Sequence, residues 1–362
     1  MNRIYYITNM FPSKKDNYGI FCKKTYDFFN NSKDFIITKM SAIKGKSQKK
    51  YFNILRYGIL LLDIYFTLIY KINKFDIVYV QYVWKHAFFV AKFIKRIQKN
   101  NIKLIINFHG EDLTEFEKLT KKEKESFKSL CFCSDAIIVP SNYFKNLLLN
   151  TVSLSNEKKI VVSPSGGVDS KIFFSPHDNK TNNTVIYCSR FDKDKGWDDF
   201  IYSASQILKY QKGINFLMMG YGKQTEDAKQ LIKELSLKDK IDLIENPKQS
   251  FIAKKYTEGS VFIFPTRRLS ESLGLVALEA MSCGLPVISS NIGAIPEYIE
   301  NGKNGFLFKS GDINELTEKI LEYFLLPEEE KNKMKKNSIL AAQKYKDVEV
   351  EKEFIKAIKK YV

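Results

Sequence analysis

The chain has 362 residues, more than one hydrophobic core usually supports, so its length predicts two domains of roughly 150 to 200 residues each. With 44% hydrophobic and 27% charged residues and no Pro- or Ser-rich tract, the composition excludes a disordered chain. The formal net charge of +17 is uneven: residues 1–172 contain 29 Lys and Arg against 14 Asp and Glu, or +15, which leaves +2 for residues 173–362.

The basic N-terminal half predicts an anionic partner, such as phospholipid head groups, a lipid-linked phosphate or nucleic acid. The alternative is an ordinary solvated surface, since Lys is frequent throughout the chain. No RNA- or DNA-binding motif accompanies the charge, so we expect no nucleic-acid partner.

Cysteine and histidine usage predicts reduced thiols and no metal site. The five cysteines are odd in number and include no C-x-x-C pair, which is typical of cytosolic thiols. None of the three histidines (His86, His109 and His177) has a metal-ligand neighbour four residues on. The segment MNRIYYITNM lacks the apolar core of a signal peptide, so we expect a cytoplasmic location.

The first half begins with a β-branched and aromatic run at residues 3–8, which predicts a strand. The most apolar stretch follows at residues 51–70; it is long enough to span a membrane, but Arg56 and Asp63 would be costly in hydrocarbon. We therefore predict a buried or half-buried helix. The alternative is a helix resting on a membrane interface, since lysines lie just upstream. These are Lys44, Lys46, Lys49 and Lys50.

Further strands alternate with helical patterns along the rest of the chain. In the first half they are predicted at residues 76–81, 103–108 and 136–140, and in the second half at 184–188, 215–220, 241–244, 261–265 and 287–290. This alternation predicts an α/β fold with two Rossmann-like parallel-sheet domains facing across a cleft. In such sheets ligands bind beyond the carboxyl ends of the strands, so the loops there are candidate site segments.

The domain boundary is predicted in the polar stretch DNKTNN at residues 178–183, which also has the composition of a hinge. The first domain is therefore predicted at residues 1–178 and the second at 179–339. The last segment, residues 327–362, is charged and has apolar residues at helical spacing.

The loop SRFDKDKGW follows the predicted strand at 184–188 and contains Arg190 and Lys195. Two cations in one loop suit a diphosphate, because they stabilise the charge that a leaving nucleoside diphosphate gains. A Lys- and Asp-rich surface loop is the alternative. In the next such loop, MGYGK, Gly220 and Gly222 allow a tight turn, but G-x-G-x-x-G is absent, which argues against a dinucleotide site.

The segment TRRLSESLGLVALEAMSCGLPVISS is the most informative. If Ser272 or Leu273 opens a helix here, amides of Leu273, Gly274 and Leu275 face an anion or sugar hydroxyls beside Glu271. Glu279 lies among apolar neighbours, where an unpaired carboxylate is costly, so a ligand hydroxyl is a reasonable partner. The alternative is that Glu271 is a helix N-terminal charge and Glu279 an ordinary polar position.

The string ESLGLVALEAMSCGLPVI, with Glu271 and Glu279 as an E-x7-E pair, resembles the donor site of retaining GT-B glycosyltransferases of family 4, the group 1 glycosyltransferases. Supporting motifs cover nearly the whole chain. In order they are FPSKKDNYGIFCKK, NFHGEDL, AIIVPSNYFKNLL, PSGGVD, SRFDKDKGW, MGYG and GAIPEYIENGKNGFLF.

The resemblance implies a first domain that binds acceptor and a second that binds a nucleotide-sugar donor, with a C-terminal helix at about residues 340–362 joining the first domain. It implies that Arg190 and Lys195 hold the diphosphate, Glu279 the ribose and Glu271 the donor sugar. The remaining implied site residues are the loop glycines Gly19 and Gly222, the amides of Leu273, Gly274 and Leu275, and His109 at the reaction centre. Taken alone, His109 is equally well a turn residue.

The resemblance also implies a front-face reaction in which the leaving phosphate oxygen deprotonates the acceptor and the anomeric configuration is retained. No enzymic nucleophile, metal or other cofactor is then expected. This agrees with the sequence, which has no obvious pair of carboxylates spaced as in a glycosidase. Two departures concern specificity: Leu273 stands where the family often has an aromatic residue, and LIENPKQSF lacks the usual Gly after its strand, which leaves base recognition open.

Similar enzymes often build capsule, O-antigen or teichoic-type polymers on lipid-linked acceptors. The resemblance therefore implies a glycan or lipid-linked acceptor in cell-surface polysaccharide synthesis, and the +15 half suits peripheral binding at the inner membrane face. The alternatives are a nucleotide-sugar epimerase or phosphorylase on the same fold, and a noncatalytic accessory subunit that binds nucleotide sugar or membrane.

Overall fold

The structure is a computed structural model that describes residues 1–14, 16, 18–45, 49–176 and 182–362. His177, Lys46 and most of the predicted boundary at 178–183 lie outside these residues. The chain forms two compact units, one of residues 1–166 with 350–362 and one of residues 167–349.

The first unit is built on a six-stranded parallel sheet in the order β2-β1-β3-β4-β5-β6. Its strands are β1 (Asn2–Phe11), β2 (Phe35–Lys44), β3 (Ile77–Gln81), β4 (Lys103–Asn107), β5 (Ala136–Val139) and β6 (Ile160–Val162). Every residue of β3 and of β5 is buried, as expected for central strands whose two faces are both covered.

The helices of the first unit cover both faces of this sheet with separate apolar clusters. They are α1 (Ile20–Asn31), α2 (Lys50–Tyr70), α3 (Lys85–Ala91), α4 (Ile94–Lys99), α5 (Glu111–Thr114), α6 (Lys121–Cys133) and α7 (Asn142–Val152). The cluster under α1 is completed from the far end of the chain, because Phe354 packs edge-on against Phe29 with ring centroids 5.4 Å apart.

The second unit is built on a six-stranded parallel sheet in the order β12-β11-β10-β7-β8-β9. Its strands are β7 (Thr184–Cys188), β8 (Asn215–Gly220), β9 (Ile241–Glu245), β10 (Val261–Phe264), β11 (Val287–Ser290) and β12 (Gly305–Phe308). Its helices are α8 (Trp197–Ile207), α9 (Thr225–Glu234), α10 (Gln249–Glu258), α11 (Leu275–Ser282), α12 (Ile313–Leu325) and α13 (Glu328–Ala342), and α14 (Asp347–Ile358) runs from this unit into the residues of the first.

Two parallel sheets with covering helices confirm the predicted α/β fold class, and each predicted strand is present within two or three residues of its predicted ends. The sequence missed β2, β6 and β12. All three are edge strands. An edge strand is paired on one side only and is often short or half-exposed, so its apolar pattern is weak.

The compact units divide between Gly166 and Gly167, earlier than the predicted boundary after residue 178. The reason is a set of hydrogen bonds that ties residues 168–170 to residues 345–347 of the second unit. Val168 N donates to Tyr345 O and Asp347 N donates to Val168 O, both at 2.8 Å, and Ser170 Oγ donates to Asp347 at 2.7 Å. The second unit ends at Glu349, and residues 350–362 belong to the first.

Helix α2 contains the apolar stretch of the sequence and buries one face only. Leu60, Ile64 and Leu68 lie in the core of the first unit, while most of the other side of α2 is exposed. Asp63 accepts a 2.8 Å hydrogen bond from Lys39 Nζ on β2. The helix is therefore half-buried, as the sequence allowed.

Candidate active site

Two residues of the second unit, one predicted to bind the diphosphate and the other the donor sugar, meet at the carboxyl ends of neighbouring strands. Lys195 follows β7, Glu271 follows β10, and these strands pair in parallel. The Lys195 ammonium forms an ion pair with the Glu271 carboxylate, and the two side chains are 10% and 18% exposed. The structure thus brings together two residues that are 76 positions apart in sequence.

Close backbone packing holds the two loops together. Gly196 has φ 67°, and a Cβ at this position would stand 1.9 Å from the carbonyl oxygen of Pro265. Arg267 N donates to Asp194 O at 2.9 Å, and the Arg267 guanidinium binds Asp198 at 3.0 Å and the buried Asp199. This ion pair raises the pKa of Arg267, whereas burial raises the pKa of the Asp199 carboxyl.

Arg190 lies on the same loop as Lys195 but does not join the ion pair. Its side chain is 56% exposed and binds the Asp192 carboxylate at 3.1 Å. The next loop is packed against it through Gly222, where a Cβ would lie 2.4 Å from Phe191 O. The observed role of Gly222 is thus to let two loops approach, and Arg190 is placed on an accessible side of them.

Helix α11 begins at Leu275, not at Ser272 or Leu273 as expected. Gly274 takes a left-handed conformation with φ 68°, which a helical residue does not adopt, so it becomes the N-cap. Leu273 is buried. The first amides of α11 have no partner within the helix, and the helix N-terminus favours an anion there.

Tyr298 is a neighbour of this turn to which the sequence assigned no role. Its hydroxyl lies 3.1 Å from where a Cβ of Gly274 would stand. Tyr298 is 3% exposed, and its hydroxyl has no hydrogen-bond partner among the described residues. Only its place in the GAIPEYIENG motif marked it in the sequence.

Glu279 lies farther along α11 and is half-buried. Burial raises the pKa of the Cys188 thiol to about 12, and the nearby Glu279 carboxylate adds to the shift. Glu279 therefore lies close to Cys188, at the end of β7. The E-x7-E pair thus places one carboxylate before α11 and the other within it.

His109 follows β4 in the first unit and is 9% exposed. Burial lowers the pKa of His109 to about 3, so the ring is neutral near pH 7. Gln81 Nε2 lies 2.7 Å from His109 Nε2, while Gln81 Oε1 accepts from Asn107 at 3.4 Å. With the Gln81 amide donating, the His109 proton is assigned to Nδ1.

Asp112 fixes the backbone of the His109 turn. Its buried carboxylate accepts from the amides of His109 and Gly110 at 2.9 Å and from Val83 N at 2.9 Å. Burial raises the pKa of Asp112 to about 7, against these amide hydrogen bonds, which lower it. The sequence missed both Asp112 and Gln81, whose only signal was their position beside predicted strand ends.

The helix that begins after Gly19 contacts His109. It is the N-cap of α1 with φ 80°, and a Cβ would stand 2.9 Å from Met10 C on β1. Phe21, two residues on, packs against the His109 ring with centroids 4.4 Å apart. The two residues that the sequence predicted in the first unit, Gly19 and His109, therefore lie at the same end of its sheet, the end formed by the carboxyl ends of the strands.

The described residues contain no group of three or more His, Cys, Asp and Glu side chains placed to hold a metal ion. The five cysteines all lie within the described ranges, and none forms a disulfide. The predicted metal-free site and cytosolic redox state stay predictions, since neither observation tests them.

A doubly wound parallel sheet in each unit is the architecture of GT-B glycosyltransferases. The crystal structure of Anabaena HepE in complex with UDP has this fold: its TM-score against this chain is 0.76, with 15% identity over 99% of this chain and 100% of that one. The family model for "Glycosyl transferases group 1" matches residues 168–340, and that for "Glycosyltransferase Family 4" matches residues 6–169. The chain belongs to the group 1 glycosyltransferases, which confirms the resemblance seen in the sequence.

Two relatives have more specific descriptions. The N-acetyl-alpha-D-glucosaminyl L-malate synthase of Bacillus anthracis is 25% identical over 267 residues, which are 71% of this chain and 67% of that protein. The capsular polysaccharide biosynthesis glycosyltransferase CapM of Staphylococcus aureus is 30% identical over 211 residues, which are 53% of each. The chain is thus similar to two enzymes whose names describe different products.

Proposed function

We propose that this glycosyltransferase moves a sugar from a nucleoside diphosphate sugar to a glycan or lipid-linked acceptor, with retention of anomeric configuration and without a metal ion. The observation that carries the proposal is the Lys195–Glu271 ion pair beside the N-terminus of α11. A cation and a carboxylate beside the first amides of a helix suit a sugar diphosphate, whose phosphates are anionic and whose hydroxyls donate.

In this proposal Lys195 and the accessible Arg190 bind the diphosphate, and their charges stabilise the leaving group as the glycosidic bond breaks. Glu271 accepts from hydroxyls of the donor sugar, and Glu279 from those of the ribose. The backbone at Leu273, Gly274 and Leu275 contacts the sugar or phosphate, and Gly222 keeps its loop close to the Arg190 loop. These side chains and amides supply the positive charge that a metal ion supplies elsewhere.

His109 and Gly19 are the proposed contacts from the first unit. Neutral His109 presents an Nδ1–H donor held by Gln81, so it binds a sugar oxygen and does not act as a general acid at pH 7. The leaving phosphate oxygen takes the acceptor proton, so the reaction requires no enzymic nucleophile. The Gly19 turn allows backbone to approach the phosphates.

The acceptor is proposed to be lipid-linked and to serve in cell-surface polysaccharide synthesis, which the name of the capsular relative supports. The enzyme is then cytoplasmic and binds the inner membrane face through its basic first unit. The charge of +15 over residues 1–172 supports this placement.

The test is a panel of UDP-, GDP- and ADP-sugars incubated with the full chain and EDTA, with and without membrane lipid extract. We expect release of nucleoside diphosphate from one donor, stimulated by lipid and lost in Glu271→Ala, and NMR of the product to show the retained anomer. The matched control, Glu258→Ala on α10, is expected to keep activity because the Glu258 carboxylate pairs with Lys254 and Lys255 of its own helix.

Three outcomes would contradict glycosyl transfer. An isomerised donor indicates an epimerase, and a sugar phosphate indicates a phosphorylase. No turnover by folded protein across a broad panel indicates a noncatalytic accessory subunit. Loss of activity with EDTA that added Mg²⁺ restores overturns the metal-independent mechanism alone.

A further inference from the structure

Helix α2 presents an exposed face made of large apolar side chains. These side chains, which we call the α2 face, are 42% to 74% exposed. They are Tyr51, Phe52, Ile54, Leu55, Ile59, Leu62, Tyr65, Phe66 and Tyr70. The exposed side chains of α2 that the structure describes include no charged group. Monomeric proteins rarely expose so large a continuous apolar surface unless it binds something.

The opposite side of α2 is fixed to the first unit. Leu60, Ile64 and Leu68 are at most 4% exposed and belong to the core beneath the helix. The two charged residues of the middle of α2 are used within the unit: Asp63 binds Lys39 at 2.8 Å, and Arg56 donates to Gly45 O at 3.0 Å. By length and composition alone α2 is apolar enough to cross a membrane. Its packing instead lays it flat on the domain.

The surroundings of the α2 face are basic. Residues 44–103 contain 13 Lys and Arg against two Asp and no Glu, and both aspartates are paired, Asp63 with Lys39 and Asp76 with Arg3. Lys49 precedes the helix and Lys71 and Lys74 follow it, all exposed. An apolar face between cations complements an anionic lipid bilayer, whose interior is apolar and whose surface is negative.

We infer that the α2 face inserts into the boundary between head groups and acyl chains of an anionic bilayer, with the helix axis in the membrane plane. This inference deepens the proposed membrane association by naming the element that inserts, and it does not depend on the identity of the donor. Attraction of the lysines to anionic head groups weakens as salt screens it, whereas burial of the α2 face does not.

The experiment is co-sedimentation with vesicles of phosphatidylcholine and phosphatidylglycerol at low salt and at about 0.5 M NaCl, where exposed charges are screened. The variant Leu55→Ser/Leu62→Ser removes two α2 side chains that are 59% and 58% exposed. Its matched control is Leu325→Ser/Leu340→Ser on the second unit, where the side chains are 76% and 61% exposed. Because all four side chains are exposed, folding is expected to be unaffected, and thermal melting verifies this.

We expect wild type and control to stay bound at high salt and the α2 variant to bind at low salt only, with at least about a tenfold lower high-salt partition coefficient. Wild-type binding that salt abolishes, with no effect of the variant, overturns insertion of α2 but keeps electrostatic association. No binding even at low salt overturns membrane association itself. A dimer that depends on Leu55 and Leu62 also overturns the inference, since it assigns the α2 face to a second copy of the chain.

Discussion

The ion pair between Lys195 and Glu271 combines a binding function with a structural one. Both side chains are mostly shielded from water, so each charge depends on the other for compensation. In the proposed complex the ammonium also contacts the diphosphate, and the carboxylate also accepts from the sugar. The pair therefore pre-positions both groups before the donor arrives.

Replacing Lys195→Met removes the charge and keeps most of the side-chain volume. We expect kcat/KM to fall by about 10² to 10³, because the leaving group loses a preorganised cation, and the melting temperature to fall because Glu271 is left uncompensated. Adding Glu271→Gln restores part of the stability but none of the activity. Steady-state kinetics and thermal melting measure both effects.

Lys229→Met is the control for that variant, since Lys229 is an exposed partner of Glu226 and Glu245 on the same unit. It is expected to change neither quantity. An unchanged kcat/KM in Lys195→Met would remove Lys195 from the proposed diphosphate site.

His109 makes the free energy of unfolding depend on pH, because its pKa is about 3 in the folded chain and about 6.5 when exposed in the unfolded chain. Between these values the unfolded state binds a proton that the folded state does not. The contribution of His109 to the free energy of unfolding therefore falls as pH falls below about 6.5, by about 2 kcal/mol between pH 7 and 5.

Urea unfolding of wild type and His109→Gln at pH 7 and pH 5 tests this. Between pH 7 and pH 5, the free energy of unfolding should fall by about 2 kcal/mol less in the variant than in wild type. His86, whose pKa burial lowers to about 4, and Asp112, whose pKa burial raises to about 7, change the free energy of unfolding in opposite directions over this interval and to the same extent in both proteins. The same change in the free energy of unfolding between pH 7 and pH 5 in both proteins would show that His109 is protonated as easily when folded as when unfolded.

At the scale of elements, the approach of two loops depends on Gly196. A Cβ there would collide with Pro265 O at 1.9 Å, and the φ of 67° is itself strained for other residues. Two further glycines distinguish the collision of an added Cβ from the strain of the backbone conformation. Gly302 has φ 77° with nothing within 4 Å of an added Cβ, and Gly213 has neither constraint.

We expect Gly196→Ala to lower the melting temperature most, Gly302→Ala by an amount equivalent to about 1 kcal/mol, and Gly213→Ala not at all. Gly196→Ala should also lower activity, because the collision moves Lys195 away from Glu271. Equal melting temperatures for Gly196→Ala and Gly302→Ala would mean that the loops after β7 and β10 move apart without lowering the free energy of unfolding.

The sequence predicted central strands well and edge strands poorly. Central strands such as β3 and β5 are buried on both faces and read as continuous apolar runs. The edge strand β2 instead reads FIITKMSAIK and has only two buried residues, so its pattern resembles a loop. The start of α11 was also misplaced, because the sequence does not show that Gly274 is left-handed, with φ 68°, or that a Cβ there would collide with the Phe264 ring.

At the scale of the whole molecule, motif spacing predicted which polar residues lie at strand ends, including Lys195, Glu271 and His109. It did not predict which of them pair. The Lys195–Glu271 contact depends on β7 and β10 being neighbours, a strand order that no local pattern encodes. Gln81 and Asp112 were missed for the same reason, because their roles come from neighbouring loops of the folded sheet.

The last residues of the chain are expected to stabilise its first unit. Phe354 is 3% exposed between Phe28 and Phe29, so Phe354→Ala should cost about 3 to 5 kcal/mol. Val348→Ala, at a side chain that is 54% exposed, serves as the control and should change little. Urea unfolding monitored by circular dichroism measures both, and similar values for the two variants would contradict a structural role for the C-terminus.

The discontinuous first unit also sets an order of events during synthesis. Domains generally fold as they emerge, from the N-terminus onward. Here residues 167–349 can complete their own core, whereas the core of the first unit is complete only after residues 350–362 have left the ribosome. Until then the apolar surface formed by Phe28 and Phe29 stays exposed. A chain that stops before residue 350 therefore leaves this apolar surface exposed, and such surfaces make incompletely folded chains prone to aggregate.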